Sequence, residues 1–152
     1  MKTPIKTLLA AAMLSSTIAS APAQAASAAP LTRTDIIAVE SENCGLENLY
    51  SPYVSTTCDH GGAWLVVYVL EVGYGRGGKA TMVGDELPRS ALLMSQPLCT
   101  INRQLTSCPT GLPVEGYLYA YNLSGYQSGR FTYENTSATH PFNNFYRWII
   151  IW

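Results

Sequence analysis

The sequence predicts an all-β fold, an antiparallel β-sandwich or small barrel of roughly six to eight strands. Three observations carry this. Short β-branched and aromatic runs recur along the chain, each closed by Gly, Pro or Asn. No strand–helix alternation is present, so nothing supports a doubly wound sheet. Four cysteines in a chain that opens on an export leader point to two disulfides, the usual reinforcement of a small extracellular domain.

The leader is MKTPIKTLLAAAMLSSTIASAPAQA, residues 1–25. Lys2 and Lys6 precede a short apolar run that ends at the small-x-small site Ala23-Gln24-Ala25. The run is too short and too rich in Ser and Thr for a membrane-spanning helix, so a secreted protein, extracellular or periplasmic, is expected with no transmembrane segment after cleavage. Removing the leader leaves seven basic against ten acidic side chains. With no basic patch, nucleic acid and anionic lipid are poor partners.

The elements follow in order. Residues 26–33, ASAAPLTR, form a small-residue lead-in expected to be mobile, and residues 34–152 form a single domain. TDIIAVESENCG gives a first strand around Asp35–Glu40, and residues 45–62 read as one long loop broken by Pro52 and Gly61-Gly62. WLVVYVLEV, Trp64–Val72, is the strongest strand. It is apolar on both faces except at Glu71, which predicts a central strand covered on both sides.

The glycine-rich EVGYGRGG then reads as a hairpin turn into the strand KATMV. Pro88 opens a short helix to Gln96, with a strand through Ala91–Ser95 as the alternative. CTINRQLTSC is a hairpin with Asn102, Arg103 and Gln104 near its tip. In PVEGYLYAYN, residues Tyr117, Tyr119 and Tyr121 share one face. RFTYENTS places Phe131 and Tyr133 together, and FYRWIIIW is the last strand. Its aromatic, alternating end resembles an outer-membrane strand, but Ile149 and Ile151 would face the interior of such a barrel, so a strand docked in a sandwich fits better.

Four cysteines allow three pairings. The local ones, Cys44–Cys58 and Cys99–Cys108, are favoured. Cys99 and Cys108 flank a hairpin within bridging distance, and Cys44–Cys58 closes a loop worth roughly 3 kcal/mol in the chain-entropy account.

Few residues carry chemistry on their own. Gly73, Gly75 and Gly78 spell G-x-G-x-x-G, yet a strand follows where a dinucleotide site needs a helix. A turn is the better reading, with Tyr74 and Arg76 at its tip as possible partner contacts. Cys58, Asp59 and His60 are chain neighbours and cannot converge as a thiol triad. His60 and His140 with Asp59 make too few ligands for a closed metal site. Glu40/Glu42 and Asp85/Glu86 are candidate hydrolase carboxylates that sequence cannot bring together. Asn122 and Asn135 match N-glycan acceptor triplets. The aromatic residues Tyr117, Tyr119, Tyr121, Phe131 and Tyr133 meet on one hairpin face. They form either a sandwich core with hydroxyls at its rim or a binding surface.

The run PLTRTDIIAVESENCG, then EVGYG, then GYQSGRFTYENTS resembles the YolA-like family of small secreted bacterial proteins, a domain of unknown function. The resemblance covers about residues 30–150. It implies export and one domain, and it brings no catalytic residue. The sequence therefore points to a non-enzymatic extracellular binding module for a protein or glycan, with no cofactor and no metal centre. A small secreted hydrolase, or a secreted inhibitor or toxin-like antagonist, is the alternative.

Overall fold

The computed structural model describes residues 28–49 and 54–152. The leader at 1–25 and the breaker Pro52 lie outside the described residues. The chain is all-β, with strands β1 Arg33–Ser41, β2 Gly45–Asn48, β3 Leu65–Val72, β4 Lys79–Met82, β5 Asp85–Glu86, β6 Leu92–Ile101, β7 Gln104–Ser107, β8 Gly116–Asn122, β9 Gly129–Thr136 and β10 Asn144–Ile151. They form a six-stranded antiparallel sheet, β2-β1-β3-β8-β6-β7, and a four-stranded one, β10-β9-β4-β5.

The two sheets share one core. Val39, Leu65, Val67 and Val69 of the larger sheet meet Met82, Phe131, Ile149 and Ile151 of the smaller, all essentially solvent-free. Each such side chain contributes roughly 1.5–3 kcal/mol by leaving water. On β9 and β10 the alternation falls as read: Phe131 and Tyr133 point inward from β9, and Ile149 and Ile151 from β10. The edge of β10 is covered, since Thr56 N donates to Ile150 O and Ile150 N to Val54 O. Covering an edge strand removes a pairing surface for other chains.

Both local disulfides form, Cys44–Cys58 and Cys99–Cys108. The second braces the β6–β7 hairpin, whose two-residue turn is Asn102-Arg103 with φ of 53° and 65°. Paired positive φ values match the twist of the flanking strands, and Asn tolerates them.

Five readings are corrected. Residues 45–62 are not one loop, because Gly45 at φ 69° turns the chain back and β2 pairs with β1. The helix from Pro88 shrinks to one 3-10 turn, Arg89–Ala91. The strand alternative wins because β6 pairs with β8 from Leu92 onward. β3 is central but covered on one side only, with Val66, Tyr68, Leu70 and Val72 half-buried on its outer face.

The fourth concerns the glycine-rich segment, which is no hairpin. It carries the chain from β3 in one sheet to β4 in the other. Gly73, at φ 92°, leaves no room for a side chain: a Cβ there would lie 2.0 Å from Pro30 O. Tyr74 N instead donates to Ala29 O and Thr32 N to Val72 O, while Leu31 is buried. The lead-in is thus held against the fold from Ala28, whose carbonyl accepts from Thr139 Oγ1. Fifth, the aromatic residues do not share a hairpin face. β8 and β9 belong to opposite sheets, and their rings meet across the sandwich.

The β4–β5 turn is the strained point. Val83 sits at φ 55° and Gly84 at φ 92°. A β-branched residue pays heavily in the left-handed region, whereas Asn-Gly is the favoured pair for this turn. Val83→Asn is therefore expected to raise unfolding stability by about 1 kcal/mol. Urea denaturation checks this, and a loss of stability would show that the exposed Val83 side chain contributes packing instead.

Candidate functional site

The inward row of β3 runs Leu65, Val67, Val69, Glu71. Strand parity therefore delivers a carboxyl group into the core, where Glu71 is fully buried. An isolated buried carboxylate is costly unless it is paired or neutralised. Two donors from the opposite sheet meet it. Tyr133 Oη donates to Glu71 Oε1 at 2.9 Å, and Asn135 Nδ2 donates to the same oxygen at 2.7 Å. Burial pushes the Glu71 pKa up, and these bonds only partly offset it. Glu71 Oε2 and its cross-strand neighbour Thr34 Oγ1 have no hydrogen-bond partner among the described residues.

The glycines explain themselves here. A Cβ on Gly75 would lie 2.0 Å from Asn135 Nδ2, and one on Gly78 would lie 1.7 Å from Tyr133 Oη. The segment read as a possible phosphate loop instead wraps the two donors that hold Glu71. Its glycines provide close backbone approach.

Around this point lie five of the six proposed contact residues. Tyr74 and Tyr117 meet edge to face at 6.0 Å, Tyr117 stacks on Tyr119 at 5.9 Å, and Tyr119 and Tyr121 each reach Tyr133. Tyr74 Oη donates to Val114 O, which pins one end of the row. Tyr121 and Tyr133 are buried, while Tyr74, Tyr117 and Tyr119 are half-buried. Burial pushes the Tyr121 hydroxyl up to about 12. Burial and the Glu71 charge raise Tyr119 and Tyr133 further still. These hydroxyls therefore stay neutral donors at any physiological pH. Arg76 stands apart, exposed, with its guanidinium 4.8 Å from the Phe142 ring centre.

The row opens on a cleft of about 530 Å³ between the sheets. Tyr119, Tyr121 and Tyr133 line it together with Gly77, Gly78 and Leu92, and Lys79, Glu86 and Arg89 stand at its polar side. Lys79 Nζ pairs with Glu86 at 3.0 Å. Arg89 enters no ion pair among the described residues. A cleft of this size, aromatic on one side and polar on the other, is large enough for a small ligand. Arg89 and Leu92 carry no signal in the sequence, and Asn135 stands out there only as a glycan triplet. Glu71 was legible in principle, as the one charged residue in the inward row of a core strand.

The other acidic candidates have separate partners. Glu40 accepts from Tyr68 Oη, Glu42 from Ala63 N and Asp59 from Gly61 N. Asp85 and Glu86 lie together on β5. His60 is buried and meets Glu47 through Nε2 and Ser41 through Nδ1, each at 3.0 Å. Glu47 also accepts from Thr57 N, Thr57 Oγ1 and Cys58 N. Burial alone would raise the Glu47 pKa, but these bonds outweigh it and hold the carboxyl low. Although Cys44 lies near Glu47 and His60, its sulfur is committed to the disulfide, so no thiolate ligand is available. Of the two glycan triplets, Asn135 is closed to modification, buried against Glu71.

The raised Glu71 pKa fixes a pH dependence. The native state binds this proton more tightly than the unfolded chain does. The contribution is therefore fully present below the ordinary value of 4.5 and is lost as pH rises through the folded value. Glu47 has the opposite sign, and its contribution is lost as pH falls below its ordinary range. Thermal melts from about pH 5 to about pH 8 are expected to show declining stability in the native protein and a flatter profile in Glu71→Gln. An equal decline in both would place its source elsewhere.

Residues 21–151 match a protein family described as "Domain of unknown function (DUF4879)". No curated protein and no solved structure matches the chain. No helix among the described residues is long and apolar enough to cross a membrane.

Proposed function

This chain belongs to the DUF4879 family, and we propose that it works as a non-enzymatic extracellular binding module whose ligand enters the tyrosine-lined cleft. The observation that carries this is the cleft itself, lined by the half-buried Tyr119 with Tyr121 and Tyr133 behind it, beside Arg89, which enters no ion pair among the described residues. Such a lining fits a planar or pyranose ring bearing an anionic substituent. The ring displaces water from the tyrosine wall and the substituent meets Arg89. A partner protein or glycan would present that group.

Export is part of the proposal, supported by the leader at residues 1–25 and by two disulfides, which persist in oxidising compartments. The YolA-like kinship suggested by EVGYG and SGRFTYENTS is part of it too, and those two segments meet at Glu71. The non-catalytic reading rests on the placement of the acidic groups. Glu71 is sealed beneath its donors, and Glu40, Glu42 and Asp59 serve backbone or side-chain partners at different places.

The dye 8-anilino-1-naphthalenesulfonate, an aromatic anion, probes the cleft. It should bind the native protein at one saturable site, and Leu92→Trp, which fills the mouth, should weaken binding at least tenfold without lowering Tm. Unchanged binding in Leu92→Trp, or dye fluorescence that appears only on unfolding, would reject the cleft as a ring receptor.

A further inference from the structure

A second groove, of about 460 Å³, lies where Asn43, the Asp59–Gly61 segment, the β8–β9 connection and Trp152 come together. Its floor is Gly61. A Cβ there would meet Gln127 Oε1 at 3.1 Å, Asn43 Nδ2 at 3.3 Å and Asp59 Oδ1 at 3.3 Å. Three polar side chains from three separate segments thus converge on one point, and glycine keeps that point open. The indole of Trp152 borders the groove and is 59% exposed.

Each of the four side chains has a fixed backbone. Asn43 precedes Cys44 and Asp59 follows Cys58, so the disulfide ties the two together. Gln127 exchanges two bonds with Gly62: its Oε1 accepts from Gly62 N at 3.2 Å and its Nε2 donates to Gly62 O at 3.3 Å. Trp152 O accepts from His60 N, and Trp152 N donates to Thr56 Oγ1. Behind the wall, Ser41, His60 and Glu47 form a buried chain of bonds. A site held this way pays little ordering cost when a ligand arrives.

The chemistry of the lining selects a class of ligand. Asp59 only accepts hydrogen bonds, while the Asn43 and Gln127 amides both donate and accept. A vicinal pair of hydroxyls satisfies all three, since each hydroxyl donates and accepts. No basic side chain among the described residues lines the groove, and Asp59 with the neighbouring Glu42 repels anions. The indole face is electron-rich and accepts the polarised C–H groups of a flat ring.

We propose that this groove is a carbohydrate subsite, taking one neutral pyranose ring stacked on Trp152 with its hydroxyls bonded to Asn43, Asp59 and Gln127. It is separate from the tyrosine cleft and shares no lining residue with it.

The full chain with both disulfides intact is titrated calorimetrically with chitotetraose, cellotetraose and maltotetraose. At least one should bind with one-to-one saturation at a Kd of about 1 mM or tighter. Trp152→Ala should abolish that binding and Trp152→Phe should weaken it. The pair Asn43→Ala and Gln127→Ala should each cost at least tenfold. Leu92→Trp, in the other cleft, should leave it unchanged, so the two sites fail independently. Trp152 is exposed, so retained Tm in Trp152→Ala confirms that folding is intact. Absence of saturable binding by all three sugars overturns the proposal, as does native-like affinity in Trp152→Ala.

Discussion

Everything distinctive about this fold converges on one buried carboxyl group. Glu71 occupies an inward position of the central strand, where its neighbours are valines and a leucine. Its two donors come from the other sheet, so the Tyr133 and Asn135 bonds tie the layers together at a point where apolar packing alone would leave relative position loosely specified. The cost is the desolvation of a carboxyl group and one oxygen left without a partner among the described residues. The return is register: strand β9 cannot slide against β3 without breaking both bonds.

That constraint propagates along the chain. Donors at Tyr133 and Asn135 need space above them, and Gly78 and Gly75 leave it. The crossing segment can then pass directly over the network from one sheet to the other. In doing so it captures the lead-in through Pro30 and Leu31, and Ser137 on the far side accepts from Leu31 N. The tyrosine row is likewise organised by the network, because Tyr119 and Tyr121 pack against the ring whose hydroxyl holds Glu71. The cleft exists where this row runs out of covering side chains, beside Gly77 and Gly78.

Local features were legible in the sequence and long-range ones were not. The disulfide across CTINRQLTSC, the inward Phe131 and Tyr133, and the docking of Ile149 and Ile151 all follow from short-range alternation or turn chemistry. The six-to-eight-strand reading fell short because β2 and β5 are too short to show a period. The glycine segment was recognised as a turn and not a phosphate loop. Its true course depended on which sheet each flanking strand joins, and that is decided by contacts far apart in sequence. Of the candidate site, the tyrosines could be named, but their meeting across the sandwich and not along a hairpin could not. By composition Glu71 reads only as a polar interruption in an apolar strand. Read by parity, it is the residue that should have demanded a buried partner.

The glycine string seats the donors of Glu71, and a double-mutant cycle between Gly75 and Asn135 tests this most directly. The three nearest neighbours of a Cβ on Gly75 all belong to the Asn135 side chain. Gly75→Ala should therefore destabilise the native protein by more than about 2 kcal/mol in urea, yet cost little once Asn135 is already Ala. Additive losses in the double variant would contradict the account and return EVGYGRGG to an ordinary connecting turn.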